Sequence, residues 1–175
     1  MTFEISTELI EKIKLLVQEQ NNAELLLHFE DLHFADIAEI LDEISLEEAT
    51  YIVKLLDSEK TSEALMELEE DVRERILNKL SAKEIAEELE EMDTDDAADI
   101  ISELSEERAQ QVISEMEDEE HAENIVELLR YDEDSAGGLM AKELVRVYED
   151  WTVTGCVAEM RKQAENVTRV HSIYV

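Results

Sequence analysis

Carboxylates are the one chemically capable group this chain carries in quantity. It has 48 Asp and Glu against 15 Lys and Arg, a formal net charge of −33 over 175 residues. The densest short cluster is Asp93-Thr-Asp-Asp-Ala-Ala-Asp99. Oxygen donors of this kind take hard cations such as Mg2+ and Ca2+. The cluster lacks the glycine and the closing glutamate of an EF-hand loop, so a dedicated calcium cage is not expected. On a helix, Asp95 and Asp99 stand at i and i+4, with Cβ atoms about 5–6 Å apart on one face. Unbridged, the pair is mildly destabilising. A hydrated Mg2+ between them removes the repulsion, because that ion needs only one or two protein carboxylates beside its waters. The competing reading is structural. Asp93, Asp95 and Asp96 also suit a helix cap and first turn, and many acidic runs are simply solvated faces.

Other chemistries find little support, and no enzyme is expected. His28, His33, His121 and His171 have no zinc-binding spacing. No glycine-rich phosphate loop occurs, and no nucleophile motif surrounds a serine or Cys156. As the single cysteine, Cys156 excludes an intramolecular disulfide, which fits a reducing cytoplasm. The charge argues against nucleic acid and against an anionic membrane surface. The sequence has no apolar run near the ~18 residues of a membrane span and no signal-peptide pattern, so direct membrane insertion is not expected.

The elements that must position these acids follow a repeat. Proline is absent, and the three glycines are Gly137, Gly138 and Gly155. From Phe34 the chain reads in blocks of twelve, beginning FADIAEILDEIS and ending DEEHAENIVELL. The eighth place is always apolar, from Leu41 through Leu65 and Leu89 to Ile125, and so is the eleventh, from Ile44 to Leu128. With frequent apolar residues at the fourth and seventh places, each block carries the stripe of an amphipathic helix. The twelfth place holds Ser45, Asp57, Glu69, Ser81, Asp93, Ser105 and Glu117. Ser and Asp there cap the next helix, and Ser45 with Glu48 and Ser81 with Glu84 form capping boxes. Short helices of this kind bury their stripes only by stacking on neighbours, so a superhelical array is expected. Two earlier helices, near residues 5–19 and 23–31, cap its start, with Asn21-Asn22 as the break.

Composition changes after Leu129. Residues 1–129 hold a net charge of −31 and residues 130–175 only −2. Gly137-Gly138 marks a turn or hinge. Beyond it Leu144–Tyr148 alternates like a strand and Thr152–Gln163 reads as a helix with Val153, Val157, Met160 and Ala164 on one face. Val170–Val175 reads as a second strand. The expected organisation is an acidic helical-repeat domain over 1–129, a connector over 130–140, and an incomplete β-α-β unit over 141–175.

Four segments resemble the cytosolic part of the MgtE family of magnesium transporters: Leu32–Leu41, Asp95–Ile101, Arg130–Met140 and Val145–Val153. The order Tyr-x-x-Asp-Ser-Ala-Gly-Gly-Leu-Met within 131–140 is the most specific of them. The last segment resembles the opening of that family's CBS domain. The resemblance implies a mainly α N domain followed by the beginning of a first CBS motif. It implies an intact homodimer on the cytoplasmic face of the cell membrane, with CBS and membrane domains as partners and Mg2+ as the ion. Acidic surfaces bridged by Mg2+ would then favour a closed state, released when Mg2+ falls. The positions matching the family's Mg2+ contacts are Glu63, Asp95, Asp99 and the backbone of Gly138, with Asp96 and Gly137 as neighbours. Relatives place prolines at helix starts, for example at Phe34, where this chain has none.

Two other classes of reading stay open on the residues alone. A helical-repeat adaptor, resembling flagellar motor-switch proteins, would bind protein through its repeat faces and use the acids for solubility. Generic acidity from a salt-rich habitat would charge the whole chain, which the near-neutral last 46 residues oppose.

Overall fold

The computed structural model describes residues 5–132, 135–142, 145–163 and 173–174. The described chain is mainly helical. Its order is α1 (Thr7–Gln18), α2 (Asn22–Phe29), α3 (Phe34–Glu43), α4 (Leu46–Val53), α5 (Ser58–Glu67), α6 (Glu70–Leu77), α7 (Ala82–Leu89), α8 (Thr94–Glu103), α9 (Glu106–Glu115) and α10 (Glu119–Leu128). Strand β1 (Val145–Arg146), helix α11 (Val153–Gln163) and strand β2 (Ile173–Tyr174) follow, with the two short strands paired in parallel.

Eight of these helices follow the twelve-residue blocks from Phe34, and local chemistry sets their limits. The side chains of Ser45, Asp57, Ser81 and Ser105 each accept an amide of the helix they precede, and both expected capping boxes are formed. Two starts differ. Glu69 precedes α6 without a side-chain cap bond, and α10 is capped by Asp118 instead of Glu117. The longer glutamate side chain does not fold back onto the nearby amides, whereas the Asp118 carboxylate accepts from Glu120 and His121 at 3.0 Å each. At the α1–α2 break, Gln20 adopts a left-handed φ of 54° and Asn21 caps α2.

The chain divides into two compact units. The first runs to Met92 and includes Glu103–Glu117; the second comprises Asp93–Ser102 and the chain from Asp118 onward. In the first unit helices pack on alternate neighbours: α3 on α5, α5 on α7, α7 on α9, and α4 on α6. The expected stripe forms its core, with Leu41, Leu65, Leu77 and Leu89 from the eighth places all buried. Burying each such side chain contributes about 1.5–3 kcal/mol.

Polar staples join residues 28–31 positions apart in this unit. Lys60 of α5 donates to the carbonyls of Phe29 and Glu30, at the end of α2. Arg108 of α9 donates to the carbonyls of Leu77 and Leu80, at the end of α6. These cations satisfy orphan carbonyls at the negative ends of the earlier helices. Between them, Glu84 of α7 holds Lys54, the C-cap of α4, at 2.8 Å. Lys60, Glu84 and Arg108 all occupy the third place of their blocks, 24 residues apart. The most enclosed pair is Arg73 with Glu103, whose side chains are 11% and 13% exposed.

In the second unit, α8 presents Thr94, Ala97, Ala98, Ile100 and Ile101 as its buried face. Of the segments expected after Gly138, the described residues contain the two-residue strand β1, helix α11 and the two-residue strand β2. Leu144, Ala164, residues 170–172 and Val175, which belonged to those expectations, lie outside the described residues. Of the face expected on α11, Val153 is 81% exposed and Val157 is exposed as well.

Candidate functional site

The acids singled out by spacing, Asp95 and Asp99, and the Glu63 implied by the family resemblance lie on two helices in different units. Glu63 is half-buried on α5 of the first unit, and Asp95 and Asp99 are half-buried on α8 of the second. Asp95 and Asp96 occupy the first turn of α8, where negative charge meets the positive end of the helix dipole. Asp95 and Asp99, one turn apart, lie on the same helical face as expected.

Sequence reasoning missed what ties this helix to the glycine pair. Thr94, the first residue of α8, is fully buried, and its Oγ1 accepts the amide of Lys142 at 3.0 Å. The Lys142 ammonium in turn sits 3.0 Å from the Glu127 carboxylate on α10. Lys142, just beyond the connector, is thus held both to the start of α8 and to α10. Inside the turn the Gly138 amide donates to Ser135 Oγ at 3.1 Å and the Leu139 amide to the Ser135 carbonyl at 3.1 Å. Gly137 is required for space. A Cβ there would stand 2.5 Å from Cδ1 and 2.6 Å from Cγ of the Tyr131 ring. Its φ is not positive, so conformational freedom is not the reason. Thus Asp95, Asp99 and Gly138, with the neighbours Asp96 and Gly137, belong to one braced body. No sequence signal marked Thr94 or Lys142, whose partners lie far away along the chain.

Among the described residues, no group of three or more His, Cys, Asp or Glu side chains could by itself hold a metal ion. The donor chemistry is that of carboxylates, which fits a largely hydrated Mg2+ held by one or two protein oxygens, and does not fit a stripped ion in a full protein cage. His33 is engaged structurally: its Nδ1 accepts the Ala35 amide at 3.4 Å, and its ring lies 3.8 Å from that of Phe34. Cys156 is a half-buried free thiol. Among the described residues no helix is long and apolar enough to cross a membrane.

Comparison with known proteins places these features. In three dimensions the chain resembles the soluble part of a magnesium transporter, with a TM-score of 0.79 and 23% identity, over 95% of this chain and 65% of that one. It also resembles the cytosolic domain of the Mg2+ channel MgtE solved in complex with ATP, with a TM-score of 0.85 and 29% identity, over 95% of this chain and 68% of that one. This chain thus spans about two thirds of each of those solved chains. No curated protein matches it in sequence. The model of the MgtE intracellular N domain matches residues 32–134, more than half of the chain and all of its twelve-residue blocks, and the chain belongs to that family.

Proposed function

We propose that this chain is the cytosolic regulatory region of a magnesium transporter or channel and that it senses Mg2+ through its acidic surface. Residues 1–129 are then the acidic N domain, 130–140 its connector, and 141–175, with the β1–α11–β2 order, the beginning of a first CBS motif. The partners are the CBS and membrane domains of the intact protein, which is a homodimer. Carboxylates at Glu63, Asp95 and Asp99, with the backbone of Gly138, contact Mg2+ that bridges N and CBS surfaces and favours the closed state.

The observation that carries this reading is the fixed placement of Asp95 and Asp99, one turn apart on α8, in the same braced body as the Gly137-Gly138 turn. Family membership and the resemblance to the MgtE cytosolic domain support it. So does the net charge of −31 on residues 1–129, because a segment so charged docks on another acidic surface only with cations between them.

Thermal unfolding with MgCl2 against ionic-strength-matched NaCl tests it. A ligand at ten times its dissociation constant stabilises the folded state by about 1.4 kcal/mol, or a few degrees in a chain of this size. The double variant D95N/D99N should lose that Mg2+-specific increment. If MgCl2 raises the melting temperature no more than matched NaCl, the sensing reading is wrong. If D95N/D99N keeps the Mg2+ increment, the acids of α8 are not its source.

A further inference from the structure

The seventh place of the helical block is a core position in every block but the last, where Asn124 is half-buried. Ile40, Ile52, Ala64, Ile76, Ile100 and Val112 occupy it and are all 0% exposed. Helix α7 places Glu88 there, and the side chain is nevertheless only 6% exposed. Across the seam, α5 places Thr61 at a fourth position where neighbouring blocks have Ile37, Ala49, Ile85 and Ala97, and Thr61 is 0% exposed. Thr61 Oγ1 lies 2.5 Å from Glu88 Oε2 and 3.3 Å from the Asp57 carbonyl oxygen. Two adjoining core positions have thus been given to a matched polar pair.

Among the described residues no cation pairs with Glu88. The charged groups acting on it are Glu87 and Glu91 from its own segment and Asp57 at the N-cap of α5, all acidic. Helices α5 and α9 both pack on α7; the charged side chains of α5 are Glu59, Lys60, Glu63 and Glu67, and those of α9 are Glu106, Glu107, Arg108 and Glu115. Both cations are directed to backbone carbonyls, Lys60 to those of Phe29 and Glu30 and Arg108 to those of Leu77 and Leu80.

We propose that Glu88 is a proton-operated latch, which closes the α5–α7 seam when its carboxyl is protonated and loosens it when the carboxyl ionises. The hydrogen bonds of both states can be followed. Protonated, Glu88 donates to Thr61 Oγ1, and the Thr61 hydroxyl donates to the Asp57 carbonyl, so both hydroxyl protons have acceptors. Ionised, the carboxylate draws the single Thr61 proton to itself. The Asp57 carbonyl then keeps only the amides of Lys60 and Thr61, and a negative charge sits desolvated beside three other acids. In a stacked array each helix pair depends on its nearest neighbours, so loosening this seam weakens the join between the α3–α5 and α7–α9 parts of the stack.

Burial pushes the Glu88 carboxyl up from 4.5 to about 7, which brings the change into the physiological range. The closed seam holds the proton more tightly than the opened one. Its stability is therefore full below about pH 4.5 and falls as pH rises through 7. This latch goes beyond the Mg2+ reading and does not require it.

Carboxyl NMR of the glutamate-labelled 175-residue chain, with hydrogen exchange of the α5 and α7 amides, tests the latch. Wild type, E88Q and E87Q are compared at one ionic strength. E87Q removes an exposed neighbouring charge and so reports general self-repulsion. The Glu88 signal should titrate near 7. Corrected for intrinsic exchange, the opening constant should rise about 70-fold between pH 5 and 8 in wild type, somewhat less in E87Q, whose missing charge helps to raise the Glu88 carboxyl, and stay nearly flat in E88Q. A Glu88 midpoint near the ordinary value of 4.5, or an E88Q rise as steep as that of E87Q, overturns the proposal. Should E88Q not fold, T61V decides. Losing the hydroxyl that favours the ionised form must move the Glu88 midpoint upward, and an unmoved midpoint overturns the proposal equally.

Discussion

Arg73 occupies a core-facing place in α6, and replacing it by methionine should be among the most damaging single changes to the first unit. Its guanidinium binds both carboxylate oxygens of Glu103, with Nε to Oε2 at 3.2 Å, and donates from Nη1 to the carbonyls of Leu65 at 3.3 Å and Leu68 at 3.4 Å. Both side chains are nearly enclosed, so water does not replace the lost partner. Methionine keeps much of the aliphatic stem but strands the Glu103 carboxylate and the end of α5. Removing one member of a buried pair costs about 3–5 kcal/mol, whereas replacing both members by apolar groups is often neutral or stabilising. R73M should therefore lose about 3–5 kcal/mol in urea unfolding followed by helix circular dichroism, and R73M/E103M should recover most of that loss. High salt should change neither result much, because an enclosed pair is poorly screened. A loss below about 1 kcal/mol for R73M, or a double variant no more stable than the single, would refute the reasoning.

The Lys54–Glu84 staple should behave differently. The hydrogen bond from Lys54, then that from the Ser81 amide, lowers the Glu84 carboxyl from 4.5 to about 2. Its stabilisation is thus present above about pH 4.5 and lost as pH falls toward 2. With Glu84 36% exposed, screening limits the effect to about 1 kcal/mol or less. K54M should flatten this part of the acid-unfolding curve, and an unchanged curve would reject the assignment. G137A should push the Tyr131 ring aside, because the new Cβ overlaps Cγ as well as the ring edge. Ring chemical shifts of Tyr131 should change in G137A, and unaltered shifts would show that the turn absorbs the methyl group elsewhere.

The twelve-residue stripe made the helices legible, because each block repeats its apolar places and most blocks open with a short capping side chain. The cap of α10 was not legible from the twelfth place, which holds Glu117; the neighbouring Asp118 has the shorter side chain that reaches the Glu120 and His121 amides. The packing of helices on alternate neighbours was not legible. A stripe records that a face is buried, not which helix covers it, and the staples join residues too far apart for local rules to pair. Arg73 and Glu88 did leave a trace, as charged residues at places that most other blocks give to apolar ones. Only the fold supplied their partners. For the candidate site, the shared helical face of Asp95 and Asp99 followed from spacing alone. The brace from Lys142 to Thr94 did not, since a backbone amide carries no side-chain signature.

The staples give the array a spatial period twice its sequence period. Blocks repeat every twelve residues, but Lys60, Glu84 and Arg108 recur every 24, each reaching back toward the end of a helix in the other series. Inserting or deleting a single block would therefore exchange the two series downstream and set the staples against the wrong helix ends. Adding or removing two blocks together would leave every staple in register. Such an array can change its length through the duplication or loss of helix pairs, and the odd step is closed to it.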